Sequence, residues 1–196
     1  MSTLGIAITL ALIDNVVLAQ FLGLCAFIGV SRRLESAVGL GCAVIFATST
    51  ASVATWAIGR LILVPLGIEF LRTVTFVLVI VGLVGLAELA IRTVSPGLHR
   101  GLGIYLPLLS ANCAVLGVAL IAARARYGAL ESLAAGLAAG GGFLLAVVLM
   151  ASLREKLDAE EVPKPFQGAP VALITAGLMA LAFMAFDRAM LRGLPG

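Results

Sequence analysis

Of the 196 residues, 62% are hydrophobic and only 12% carry a charge, and the mean hydropathy is +1.17, which leaves too little polar surface to cover a water-soluble globule. The net charge of +3 comes from cations scattered singly or in pairs between apolar runs, a pattern that excludes a basic nucleic-acid patch and places them among lipid headgroups. Three cysteines, all within apolar stretches, do not make a disulfide framework.

A membrane-crossing helix needs roughly twenty apolar residues, and the charged residues and prolines divide the chain into predicted spans over 4–30, 37–58, 74–91, 102–123, 133–153 and 169–186. The sequence thus predicts an all-α integral membrane protein of six transmembrane helices in a single membrane domain, 1–196. No Lys or Arg precedes the first span, and Asp14 and Asn15 interrupt it, so it reads as a mature helix rather than a secretory signal. In the fourth span Pro107 removes a helical hydrogen bond and Asn112 adds a buried amide. Helices one and four are therefore expected to be interrupted. Residues 154–167, with Asp158, Glu160, Glu161, Pro163 and Pro165, read as an exposed loop.

Alternating the spans puts Arg32, Arg33, Arg92, Arg100, Arg154, Lys156 and Lys164 on one side, and Arg60, Arg72, Arg124, Arg126, Arg188 and Arg192 on the other. The slight excess places the first group in the cytoplasm and both termini outside it.

One six-residue pattern occurs twice, Cys25-Ala26-Phe27-Ile28-Gly29-Val30 and Cys113-Ala114-Val115-Leu116-Gly117-Val118. The likeness continues through Leu34-Glu35-Ser36 and Leu130-Glu131-Ser132, then through Gly82-Leu83 and Gly177-Leu178. Repeat one covers about 1–96 and repeat two about 97–196. Three helices is an odd number, so the second repeat enters the membrane from the opposite side and the halves have inverted topology. Both cysteine motifs are expected to face inward.

Equivalent thiols in two inverted halves suggest one symmetric site for a soft metal. Two thiolates can hold copper(I), whereas an iron–sulfur cluster needs four ligands, so two further cysteines would have to come from a similar partner subunit. Cys42 has Ala and Gly neighbours and no counterpart in repeat two, and is expected to serve packing. Asp14 and Glu88 are the embedded carboxylates and hence candidates for an ion pathway, although Asp14 can equally bond a neighbouring helix and Glu88 can pair with Arg92 one turn on. His99 reads as a solvated loop residue. Gly39, Gly41 and Gly140-Gly141-Gly142 lack nucleotide-loop context and read as helix-packing positions, while Trp56, Tyr105 and Tyr127 fit interfacial belts. Inverted repeats with interrupted helices also suit a secondary transporter with a central solute site, and that reading stands beside the metal site, as does a plain membrane scaffold.

The segments Asp14-Asn15-Val16-Val17-Leu18-Ala19-Gln20-Phe21-Leu22-Gly23-Leu24-Cys25, Leu106-Pro107, and Asn112-Cys113-Ala114-Val115-Leu116-Gly117-Val118 resemble the family of A subunits of the Rnf ion-translocating oxidoreductases. The resemblance continues through Thr93-Val94-Ser95-Pro96, Val162-Pro163-Lys164-Pro165-Phe166 and Ala172-Leu173-Ile174-Thr175-Ala176-Gly177-Leu178-Met179, covering essentially the whole chain. It implies a membrane subunit of a ferredoxin:NAD oxidoreductase coupled to sodium-ion or proton translocation, related to the D and E subunits of the sodium-pumping NADH:quinone oxidoreductase. It also implies that Cys25 and Cys113 supply half the ligands of an intramembrane [2Fe-2S] cluster shared with the homologous E subunit of the Rnf complex. Flavins and further iron–sulfur centres would lie elsewhere in the complex, among its B, C, D and G subunits. The chain departs from the family in having Ala26 where Pro usually follows the first cysteine, and Ser110-Ala111 where Thr-Thr often precedes Asn-Cys. Such changes around the ligands are expected to alter reduction potential rather than binding of the cluster.

Overall fold

The computed structural model describes residues 5, 9–13, 15–31, 34–67, 69–94, 112–159 and 168–193. Among these residues all regular structure is helical. A π-helical turn, Thr9–Ile13, is followed by α1 (Leu24–Val30), α2 (Leu34–Ile58), α3 (Arg72–Val94), α4 (Cys113–Arg124), α5 (Ala129–Ala159) and α6 (Ala169–Gly193). A second π-helical turn, Gly59–Leu63, prolongs α2.

The break expected at Asn15 is present, and the side chain explains it. Asn15 is buried, and its Oδ1 accepts the backbone N–H groups of Val17 (3.0 Å) and Leu18 (3.4 Å) while its Nδ2 donates to the carbonyls of Ala11 (3.2 Å) and Gly142 (3.0 Å). A side chain that takes over backbone partners in this way offers the chain an alternative to the helical ladder. Helix resumes only at Leu24, after Gly23 turns through a φ of 83°, a conformation at little cost to glycine alone. In the fourth predicted span, α4 begins at Cys113 behind the N-cap Asn112, whose Oδ1 accepts the Ala114 N–H at 3.0 Å; Pro107 lies outside the described residues.

The centre of the molecule is the pair α2 and α5, which run antiparallel at close range. Glycine makes the approach possible: a Cβ on Gly136 would lie 2.7 Å from the Thr48 carbonyl oxygen, and one on Gly140 2.7 Å from Ile45 Cα. Thr48 Oγ1 donates to the Gly136 carbonyl at 2.8 Å across the contact. Gly41 faces Leu144 in the same seam, whereas Gly39 faces open space. Small residues that let backbones touch, with a hydroxyl bonding across, are how helices associate where apolar surface has no water to leave. Around this pair, α4 packs on α2 and α5, α3 on α2 and α4, and α6 on the first π-helical turn, α1 and α5.

The outward surfaces carry many large apolar side chains. Phe46, Leu78, Leu86, Leu178 and Leu181 are all exposed, and helices apolar on every side belong in lipid or in a larger core. Among the described residues two stretches, Leu34–Leu63 and Ala129–Leu157, with 30 and 29 residues, are long and apolar enough to cross a membrane. Further apolar stretches lie within α3, α4 and α6, over Arg72–Leu86, Cys113–Arg124 and Ala169–Ala185.

The exposed loop expected over residues 154–167 is helical as far as Ala159, and residues 160–167 lie outside the described residues. Arg154, within α5, is 5% exposed. Its Nη1 donates to the Ile28 carbonyl (2.9 Å) and to Ser31 Oγ (2.8 Å), closing the end of α1, while Glu155 Oε1 accepts the Leu34 N–H (3.0 Å) at the start of α2. Adjacent residues of α5 thus satisfy unpaired groups on both sides of the α1–α2 corner, a duty that makes burial of a charged side chain favourable.

Candidate metal centre

Cys25 is the second residue of α1 and Cys113 the first of α4. Each therefore lies in the first turn of its helix, where unpaired N–H groups and the positive end of the helix dipole favour negative charge, a suitable setting for sulfur bound to a cation. The two helix starts meet. The Gly23 N–H donates to Cys113 Sγ at 2.8 Å, and Gly23 stands two residues before Cys25, so one hydrogen bond joins the segments that carry both sulfurs.

The meeting depends on glycine. A Cβ on Gly23 would lie 3.1 Å from each of Ala114 Cβ, Asn112 Oδ1 and Phe143 Cε2. Across the same contact the tip of the Leu22 side chain lies against Gly117 and would have to turn aside for a Cβ there. Beneath the sulfurs the repeated motifs do face inward, with Ala26, Phe27 and Val30 buried on one and Ala114, Val115 and Val118 on the other.

The cysteines themselves do not follow that inward course. Cys25 and Cys113 are free and exposed, on a surface that also carries exposed Phe21, held at a φ of 56°. The expectation that the motifs point wholly inward is thus corrected: the apolar members pack and the thiols stay at the chain's surface. Cys42 is also exposed rather than packed within this chain, because it lies on the outer side of α2, away from the seam with α5.

Among the described residues no group of three or more His, Cys, Asp or Glu side chains comes together. The site of this chain is therefore two thiols, a backbone N–H bonded to one of them, and Asn112, whose Nδ2 is buried with no hydrogen-bond partner among the described residues. Two outward thiols fit half of a four-thiolate cluster and cannot enclose one alone. Of the two ion-pathway candidates, Asp14 lies outside the described residues, as does the side chain of Glu88, whose backbone belongs to α3.

Repetition and polarity single out Cys25, Cys113 and Asn112 in the sequence but not Gly23. The signal for it is the glycine in Leu22-Gly23-Leu24-Cys25, inside a run otherwise suited to helix.

Residues 3–190 match the model of the Rnf-Nqr subunit membrane proteins. The chain belongs to this family. It is 54% identical over 176 residues, 90% of this chain and 91% of the relative, to the A subunit of the ion-translocating oxidoreductase complex of Edwardsiella ictaluri (strain 93-146). The protein of the same name in Serratia proteamaculans (strain 568) is 53% identical, with 89% of this chain and 91% of the relative covered. That of Actinobacillus pleuropneumoniae serotype 5b (strain L20) is 52% identical, with 91% and 93% covered. For an Rnf-Nqr protein the apolar outer surfaces of α2, α3 and α6 have a ready explanation: they are the faces that a membrane protein turns to lipid.

Proposed function

We propose that this chain is the membrane subunit of a redox-driven ion-translocating oxidoreductase, and that Cys25 and Cys113 hold half of a [2Fe-2S] cluster shared with a homologous E subunit. When bound, such a cluster supplies one-electron transfer within the membrane. The observation that carries the proposal is the 2.8 Å hydrogen bond from Gly23 N–H to Cys113 Sγ between two exposed thiol segments. It holds one sulfur in a fixed orientation, and a donor to sulfur stabilises added negative charge and so raises reduction potential.

The exposure of both thiols supports a shared site over an enclosed one. A secondary transporter would surround its solute with inward-facing groups at the repeat interface, whereas these sulfurs lie where a second protein can add two more. We further propose six spans arranged as two inverted repeats, with both termini periplasmic in a bacterial inner membrane and the B, C, D and G subunits as the remaining partners. The antiparallel pairing of α2 with α5, the second helices of the two repeats, supports this arrangement.

The test is iron and acid-labile sulfide content, with electron paramagnetic resonance, of the purified complex in wild type, Cys25→Ala and Cys113→Ala. Loss of one cluster's equivalent of iron and of its signal in each variant is expected. Unchanged iron in both variants would falsify the cluster assignment, and copper in place of iron would replace it with a two-thiolate copper(I) site.

A further inference from the structure

A cavity of about 400 Å³ lies between α2, α3, α4 and the start of α5, toward the C-terminal end of α4, whose first residue is Cys113. Its polar lining includes Ser52, Trp56, Arg60, Arg72, Arg126 and Tyr127, and no Asp or Glu lines it among the described residues. Phe76, Ala119 and Ala122 are among its apolar lining.

Two of the polar groups are incompletely satisfied. Ser52 is 1% exposed, and neither its Oγ nor Trp56 Nε1 has a hydrogen-bond partner among the described residues. The contrast within α2 is direct. Ser49, Thr50 and Thr55 each donate a hydroxyl to the carbonyl four residues back, whereas Ser52, which lines the cavity beside Thr55, does not. Buried polar groups normally have partners, and one without a protein partner beside a cavity calls for a ligand.

We infer that this cavity binds a phosphate group, with Ser52 and Trp56 donating to its oxygens and the arginines balancing its charge. Guanidinium groups and neutral donors without a carboxylate select an anion with several acceptor oxygens. Exposed Leu61, Val64 and Phe70 beside Arg60 and Arg72 offer acyl chains a surface, so the occupant is the headgroup of an anionic phospholipid, bound as in other basic pockets between membrane helices. The inference rests on residence in a membrane and not on the cysteine assignment.

Trp56 is the only tryptophan in the chain and reports on the cavity directly. The full-length chain in phosphatidylcholine nanodiscs is titrated with phosphatidylglycerol brominated on its acyl chains or with equally brominated phosphatidylcholine, and separately with inorganic phosphate. Preferential quenching of Trp56 by the anionic lipid is expected, with the preference falling about fivefold for each of Arg60→Gln and Arg126→Gln. Both arginines are exposed, so the variants should unfold at the wild-type temperature. A change in Trp56 emission on adding inorganic phosphate, with no lipid preference, would keep the phosphate site and identify its source as the free ion. No lipid preference together with no phosphate response overturns the inference, as does a preference or phosphate response that both variants retain in full.

Discussion

Gly23 and Cys113 stand 90 residues apart and are joined by a 2.8 Å hydrogen bond from backbone N–H to sulfur. The contact makes one local site out of two copies of a motif, and it requires both the left-handed turn at Gly23 and the absence of a side chain there.

Replacing that glycine should separate the two effects of the contact. Gly23→Ala puts a Cβ into the left-handed region, at a cost of about 1–2 kcal/mol, and against Asn112, Ala114 and Phe143. Thermal unfolding of the solubilised chain should fall accordingly. In the assembled complex, any cluster retained should titrate at a lower potential as the hydrogen bond to Cys113 lengthens.

Arg154 should behave as a structural clamp despite its charge. Arg154→Met removes the donor to Ile28 and Ser31 and leaves the buried Ser31 Oγ without its donor while Ile28 keeps only the long bond from Ser31, at about 1–3 kcal/mol. Glu155→Gln keeps an acceptor for the Leu34 N–H and should change stability much less. Equal losses in the two variants, measured by thermal unfolding in detergent, would contradict this account.

The seam between α2 and α5 should not tolerate growth. Gly140→Ala places a methyl 2.7 Å from Ile45 Cα, a backbone atom that cannot turn aside, so overpacking of about 1–3 kcal/mol is expected. Gly141→Ala is the control, since a Cβ there meets nothing within 4 Å. The two variants should differ in unfolding temperature in that order.

A role for Glu88 in the ion pathway predicts that Glu88→Gln lowers ion pumping in reconstituted complex, or alters its pH dependence, while electron transfer persists. Pumping with unchanged rate and pH profile would remove Glu88 from the pathway and leave its carboxylate to pairing with Arg92.

Much of the candidate site was legible because it rests on local signals. Cys25 and Cys113 stood out by repetition, and Asn15 marked a helix break because its amide competes for backbone partners within a few residues. Arg154 was misread for the converse reason. Hydropathy assigns an arginine near prolines and acids to water, and it contains no term for the Ile28 carbonyl and Ser31 hydroxyl that lie more than 120 positions away.

Composition and the length of the apolar runs determined that the chain lives in lipid and is helical, since a run of roughly twenty apolar residues spans hydrocarbon with its backbone groups paired within their own segment. The two cysteine motifs could likewise be paired by inspection. Only the tertiary structure decided that the sulfurs face outward while their neighbours pack, that Gly23 reaches Cys113, and that the end of α5 closes the corner between α1 and α2. The reason is physical: the cost of leaving water sums residue by residue along a sequence, whereas the direction of a side chain is set by close packing between helices far apart in the chain.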